Sequence, residues 1–347
     1  MYIKKILWAI ALIGLIIFGI IAYYIYGAMF SPNTKFSKNE VYVYISKDDT
    51  YRDVRQQLIT IVDDIDTFDA LAKQKRYTSN VRAGRFLISK GMNNNEIINS
   101  IRSRNMPVKL SFNNQNSLQA IAGRVASQIE ADSVALLEAM TNKTFLNKNG
   151  FKTETALGMY LPNSYEMYWN TSAEDFVIRM KKEYDRFWSK ERLQKAQNLS
   201  MTQDEVMALA SIVYEESKQK QEQPRVAGVY INRLKIGMPL QADPTLKFAA
   251  YKLPEYENTI IRRVLNVHKE IESPYNTYKY LGLPPGLIVM PDLSAIDAVL
   301  NYEKHDYFYF AVNEQKPGFH RFAKSLSQHN VNARKYHKYL DEQGIRR

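Results

Sequence analysis

Two adjacent acids, Glu215 and Glu216, close a run of apolar residues from Val206 to Val213. Thr202 and Glu205 ahead of that run have capping-box spacing, in which a hydroxyl and a carboxylate satisfy amide donors at a helix start. Val206, Leu209, Ala210 and Val213 then follow the i, i+3, i+4, i+7 rule, so residues 202–218 are predicted to form a helix with one apolar stripe. At about 100° per residue, Glu216 falls at the edge of the stripe and Glu215 on the opposite, solvent-facing side. The two carboxyls should therefore differ. Packing against apolar groups raises a carboxyl pKa by desolvation. An acid that keeps its proton near neutrality can serve as a general acid. The same spacing fits a rim carboxylate hydrogen-bonded to a neighbouring element, and spacing alone leaves both readings open.

Further candidates lie downstream on proline-stiffened segments. Pro224 suits the first turn of a second helix that runs through Leu234 and stops at Gly237. The following loop sets Gln241, Asp243 and Thr245 between and beside Pro239 and Pro244. Ser273, Tyr275, Asn276, Thr277 and Tyr278 flank Pro274, and Pro285 and Gly286 close a second extended loop from Gly282 to Ile288. Rigid loops that display amides, hydroxyls and rings suit recognition of sugar hydroxyls. Ordinary turn and cap chemistry accounts for the same residues equally well. His320 and His329 are either ligand contacts or hydrogen-bonded structural histidines.

The elements that must position these groups read as mixed α and β. Val41–Ile45 and Arg85–Ile88 have strand composition. A helix through Val54, Leu58 and Ile61 is expected between them, and Asn93 with Glu96 caps another. Val108 to Gly150 gives a short strand and helical stretches, and Leu157–Tyr165 reads as an aromatic loop. Helices with charged faces run from Ser172 to Gln197. Tyr307–Val312 and Phe319–Phe322 form strands about a Lys316-Pro317-Gly318 turn, before a last helix from Ser325 through Leu340. The fold class is α+β, and 347 residues suit two domains plus a short element.

Ahead of them, Lys4 and Lys5 precede an uncharged stretch from Ile6 to Thr34, centred on Ile6–Ala22. About 20 such residues cross a bilayer as a helix. Trp8 at one end and Tyr23, Tyr24 and Tyr26 at the other have the placement of interfacial aromatic anchors. The leading lysines put the N-terminus in the cytosol and the rest outside. A cleaved signal peptide is the alternative; the run exceeds its usual apolar length of about 7–15 residues, and an uncleaved anchor in the plasma (inner) membrane is expected. Residues 1–34 are thus cytosolic N-terminus, anchor and polar linker.

Composition excludes several classes. The chain has no cysteine, which rules out disulfides, thiolate metal sites and cysteine nucleophiles, and only five histidines. The net charge is +11, two units of it from Lys4 and Lys5. For an exported basic protein the expected partner is anionic lipid or an anionic wall polymer, not nucleic acid. Charge spread over the surface for solubility is the other reading.

At this point the motifs combine into a pattern. Leu209-Ala210-Ser211-Ile212-Val213 with Glu216, Val226-Ala227-Gly228-Val229-Tyr230-Ile231-Asn232-Arg233-Leu234, and Gln241-Ala242-Asp243-Pro244-Thr245 resemble the YceG-like endolytic murein transglycosylases. Ser273–Tyr278, Gly282–Gly286, His320 with Phe322, and His329-Asn330 continue that resemblance in order. It implies an anchor, a small LysM-like α+β subdomain at 35–107 and a larger mixed α/β catalytic domain at 108–347. It also implies Glu216 as catalytic acid/base, with Asn232, Gln241, Asp243, Thr245, Ser273, Tyr275, Asn276, Thr277, Tyr278, Pro285, Gly286, His320 and Phe322 along a glycan cleft. Peptidoglycan strands would be the substrate, cut at the MurNAc–GlcNAc β-1,4 bond to leave 1,6-anhydro ends. No metal or organic cofactor would be needed, and proteins of cell-wall synthesis would be partners. Two segments depart from the family's wording, Leu110–Asn114 and Leu157–Tyr165. A water-using muramidase would need a second carboxylate, for which Asp243 and Glu222 are the candidates. A non-catalytic wall-binding scaffold is the alternative of a different class.

Overall fold

The computed structural model describes residues 2–256, 259–261 and 263–342. The outer limits of the first and last expected segments, Met1 and residues 343–347, lie outside these described residues. The chain divides into two compact units. Unit 1 is Met1–Leu110 with Gln128–Ala131 and Tyr165–Ser172, and unit 2 holds Ser111–Ser127, Asp132–Ser164 and Ala173–Arg347.

Unit 1 starts with α1 (Tyr2–Phe30), a helix of mean hydropathy 2.7 that is long and apolar enough to cross a membrane. Leu7, Leu12, Leu15 and Phe18 all stand exposed around it, as on a helix that buries its surface in something other than this chain. Next come β1 (Glu40–Ile45), α2 (Tyr51–Leu58), α3 (Ile65–Gln74), β2 (Gly84–Ser89) and α4 (Asn94–Ser103). β1 and β2 pair antiparallel, with Val43 opposite Phe86. The strand alternation turns Val43 and Ile45 inward and leaves Tyr42 and Tyr44 exposed. Phe68, Leu71, Tyr77, Ile97, Ile98 and Ile101 complete this core. α3 was not legible as a separate helix: the chain breaks after Leu58, and the Asp64 carboxylate restarts it by accepting from the amides of Asp66 and Thr67. The Asn93–Glu96 box forms as the spacing predicts, with bonds of 2.9 and 3.0 Å.

The expected linker at 31–34 is not a free tether. Asn33 is buried: its amide nitrogen donates to the Met92 carbonyl (2.9 Å), and its side chain donates to the Asp64 carbonyl (2.8 Å) and Asn94 Oδ1 (2.6 Å). Asn94 Nδ2 donates to the Ala28 carbonyl (2.7 Å), clasping the last turn of α1. Small polar residues read as linker because their composition does not reveal that their hydrogen bonds are long-range.

β3 (Pro107–Phe112) leads to α5 (Leu118–Ala126), α6 (Ser133–Met140) and α7 (Lys143–Lys148), and its sheet partner is β4 (Asn163–Tyr168). The second half of the expected aromatic loop is therefore strand; the Pro162-Asn163-Ser164 turn residues mask the alternation of Tyr165 and Met167 that follows. In unit 2, α8 (Ala173–Phe187) and α9 (Lys190–Asn198) precede α10 (Gln203–Glu216), α11 (Gln223–Lys235) and α12 (Asp243–Ala250). The Thr202–Glu205 capping box starts α10, with the Thr202 amide donating to Glu205 at 2.7 Å. A single stripe understates α10: every residue from Val206 to Val213 is buried, because α11, α12 and α14 surround it. Its first turn and Tyr214–Glu216 at its end open outward. α13 (Asn266–Lys269), α14 (Leu293–Leu300), the hairpin β5 (Tyr309–Val312) and β6 (His320–Ala323), and α15 (Leu326–Glu342), which packs on that hairpin, finish the unit.

Candidate active site

The last turn of α10 brings Glu216 to a cavity of about 330 Å³ in unit 2. Tyr230 and Arg233 of α11, Gln241, Asp243 at the start of α12, and Tyr278 also line it. Tyr309 and Phe310 of β5 and Leu326 and His329 of α15 complete the wall. Four aromatic side chains and one leucine thus face four charged or amide-bearing groups and a histidine. Rings of this kind supply flat apolar faces, and the polar groups supply directed hydrogen bonds.

Glu216 is half-buried, and the Tyr230 hydroxyl donates to its Oε1 at 2.8 Å. That bond leaves Oε2 to carry a proton. Burial pushes the Glu216 pKa from an ordinary 4.5 up to about 7, against the Tyr230 hydrogen bond and the neighbouring His320 and Arg233, which favour the carboxylate. The Asp243 charge works with burial. Glu215 has a different fate: it is exposed and pairs with Lys218 at 2.8 Å.

Arg233 is buried and donates from Nε to the Phe308 carbonyl (2.7 Å) and from a terminal nitrogen to the Leu240 carbonyl (2.6 Å). Its guanidinium lies 5.3 Å from the Tyr309 ring centroid. Burial lowers its pKa, yet a guanidinium stays charged. His329 stacks on Tyr309, with centroids 5.5 Å apart at 29°, and burial together with Arg233 holds its pKa down. The imidazole is consequently neutral near pH 7.

Of the candidate binding residues, Gln241, Asp243 and Tyr278 line this cavity. Asp243 accepts from the Tyr278 hydroxyl at 2.6 Å. Asp243-Pro244-Thr245 is the first turn of α12 rather than loop, with proline in the position that needs no amide. Gln241 ahead of it has a positive φ of 49°, held by a bond from its amide to the Thr277 carbonyl (3.0 Å). Thr245 and Thr277 are buried and bond each other (2.9 Å), and Thr277 accepts from the Ala242 amide (3.0 Å). Asn276, also buried, donates to the carbonyls of Lys269 and Ile271. These three side chains fasten the segments that display Gln241, Asp243 and Tyr278.

The remaining candidates sit elsewhere. Asn232 donates to the carbonyls of His305 (2.7 Å) and Tyr307 (3.1 Å), fixing the approach to β5. Ser273 accepts from the Tyr275 amide, and Tyr275 packs on Phe248 with centroids 4.7 Å apart. Pro285 is exposed, and Gly286 lies so near Glu154 that a Cβ there would come within 2.2 Å of its carbonyl oxygen. Phe322 pairs across the hairpin with Phe310. His320 stands edge-on to Phe310 and donates from Nδ1 (2.8 Å) and from its amide (2.8 Å) to Glu222. Glu222 is buried, accepts in addition from Ser217, and has its pKa lowered by the His320 contacts in spite of burial. It does not line the Glu216 cavity, so Asp243 is the second carboxylate there.

Sequence reasoning did not single out Tyr230, Arg233, Tyr309, Phe310 or Leu326. Tyr230 and Arg233 are three apart on α11 and so share a face. That spacing was the available signal for two of the five.

The YceG-like family model matches residues 43–335. The endolytic murein transglycosylase of Bacillus subtilis (strain 168) is 30% identical over 275 residues, covering 74% of this chain and 74% of that protein. The endolytic murein transglycosylase of Streptococcus pneumoniae serotype 2 (strain D39) is 27% identical over 293 residues, covering 76% of this chain and 52% of the longer relative. A crystal structure of a YceG-like protein from Listeria monocytogenes matches 85% of this chain and 99% of its own, with a TM-score of 0.55 and 28% identity.

Proposed function

The chain belongs to the YceG-like family, and on that premise we propose that it is a membrane-anchored endolytic murein transglycosylase with Glu216 as its acid and base. The observation that carries the assignment of Glu216 is its half-buried carboxyl, with a pKa near 7, at the wall of an aromatic-lined cavity. As a neutral acid it protonates the bridging oxygen of a MurNAc–GlcNAc bond. The C1–O bond breaks with its electron pair on that oxygen, and an oxocarbenium-like centre develops at C1 of MurNAc. The carboxylate left behind is stabilised by the Tyr230 hydroxyl and the fixed charge of Arg233. It then takes the proton of the sugar's own C6 hydroxyl, whose oxygen closes on C1 to give the 1,6-anhydro ring. Protons balance, no water is consumed, and the acid is restored.

α1 is the anchor in this reading, with Lys4 and Lys5 cytosolic and both units outside the membrane. Residues 35–107 act as a LysM-like glycan-holding module, a reading supported by their strand–helix–helix–strand order and the antiparallel pairing of β1 with β2. Residues 108–347 are the catalytic domain. Gln241, Asp243 and Tyr278 contact the sugar directly, and wall-synthesis proteins are the expected neighbours at the membrane.

Asp243 favours one competing reading, a muramidase in which that carboxylate activates water. Mass spectrometry of digests decides between them: anhydro ends support ring closure, and reducing ends support hydrolysis. Glu216→Gln should abolish cleavage while Glu215→Gln retains most of it. Equal behaviour of the two variants would remove Glu216 from the mechanism, and a wild-type chain that binds strands without cutting them would favour the scaffold.

A further inference from the structure

Unit 2 carries a second, larger cavity of about 820 Å³, with Asn113, Asn114, Asn163, Ser164, Lys220 and Ser294 among its lining. Its chemistry differs from that of the Glu216 cavity. Phe112 contributes the lining's one aromatic ring and is only 4% exposed, so no open ring face awaits a sugar. Amides and hydroxyls dominate instead, and they can answer both the N–H and the C=O groups of a peptide. Two cations line it, Arg124 and Lys220, against the single carboxylate of Asp292. Asp292 Oδ1 is already committed to the Ala295 amide (2.8 Å) and lies 2.9 Å from the Ser294 hydroxyl, whose one proton it shares with Gln223 Oε1. Lys220 is exposed and has no ion-pair partner among the described residues.

The cavity is also tied to the catalytic helix. Ser294 Oγ donates to Gln223 Oε1 (2.9 Å), and Gln223 Nε2 donates to the carbonyl of Ser217 (3.0 Å), the residue after Glu216. Gln223 is wholly buried, so one rigid side chain joins the wall of this cavity to the end of α10. Moreover, the two segments in which the chain departs from the family wording, 110–114 and 157–165, both contribute to this lining.

We infer that this cavity is a subsite for the peptide stems of the glycan strand, with the Lys220 ammonium pairing a stem carboxylate and the asparagine amides bonding the stem backbone. The inference rests on the murein-cleaving reading above and assigns it a second recognition element. It makes cleavage depend on what hangs from the sugars as well as on the sugars.

The test uses the full chain in detergent on two substrates, strands that bear stems and strands stripped by an amidase. A charge-assisted contact of this kind corresponds to about a tenfold change in affinity. Lys220→Glu should therefore raise KM about tenfold more on stem-bearing strands than on stripped ones, with kcat moved little, and Asn163→Ala should do the same more weakly. In parallel, the amidase-released stem peptide is titrated calorimetrically onto the Glu216→Gln chain, with and without Lys220→Glu. Binding that the added substitution weakens supports the subsite. Equal penalties on both substrates, or no binding of the free stem, would overturn it. Should the wild-type chain cleave neither substrate, the catalytic reading fails, and the peptide titration still judges the subsite alone.

Discussion

Glu216→Gln should do more than stop cleavage: it should make the fold more resistant to alkali. In the unfolded chain this carboxyl ionises near 4.5, and in the fold near 7. Between those values the folded state holds the extra proton, so wild-type stability falls as pH rises from about 4.5 to 7. The displacement corresponds to about 3 kcal/mol of ionisation cost at pH 8, all of it absent at pH 4. Glutamine keeps the carbonyl oxygen that accepts from Tyr230 at 2.8 Å and cannot ionise, so it removes the cost without breaking the contact. Relative to wild type, the variant should thus gain about 3 kcal/mol between pH 4 and pH 8. For a domain of this size that is about 6–12 °C in the midpoint of unit 2. Thermal melts of both full-length chains, followed by tryptophan fluorescence at several pH values, would read it directly, because Trp188 is buried in that unit. Parallel pH profiles for the two chains would mean that Glu216 ionises in the fold as it does in water, and the general-acid argument would lose its basis.

Two other outcomes follow from the same contacts. The pH profile of kcat/KM should fall above about pH 7 as Glu216 loses its proton, and Tyr230→Phe should move that fall to higher pH, because the hydroxyl's bond favours the carboxylate; an unmoved limb would detach the profile from Glu216. Gly286→Ala should destabilise unit 2 by about 1–3 kcal/mol in chemical denaturation, since the new Cβ would meet the Glu154 carbonyl oxygen at 2.2 Å and backbone cannot step aside cheaply; a neutral substitution would show that the loop from Gly282 yields freely.

Local chemistry was the most legible part of the sequence. The boxes at Thr202–Glu205 and Asn93–Glu96 depend on residues three apart, and both form. The Asp64 cap was equally local, but the polar residues around it offered no stripe to draw attention, so α3 was passed over. The difference in setting between Glu216 and Glu215 was legible because their positions on α10 follow from periodicity, whereas a role for Glu216 came only from the family resemblance. Long-range partners were not legible. Phe310 and Tyr309 reach the site through a hairpin that starts more than ninety residues after Glu216, and nothing near them in the chain marks that destination. Polar loop residues raised the opposite problem. Thr245, Asn276 and Thr277 have the composition of sugar contacts, but each spends its hydrogen bonds on other segments of its own fold. A residue type states what a side chain can bond and leaves open what lies within reach. Likewise, the return of residues 128–131 and 165–172 to unit 1 left no compositional mark.

The clasp of Asn33 and Asn94 fastens the end of α1 to unit 1, so an α1 that anchors the chain as proposed would also orient that unit. Met29 on that last turn packs against the unit's core, so helix and module turn together. Each residue added to such a shaft advances its azimuth by about 100° and its height by about 1.5 Å. A slack leash would absorb either change. In the anchored reading proposed above, the helix acts as both spacer and compass, setting how high the unit rides above the headgroups and which way it looks.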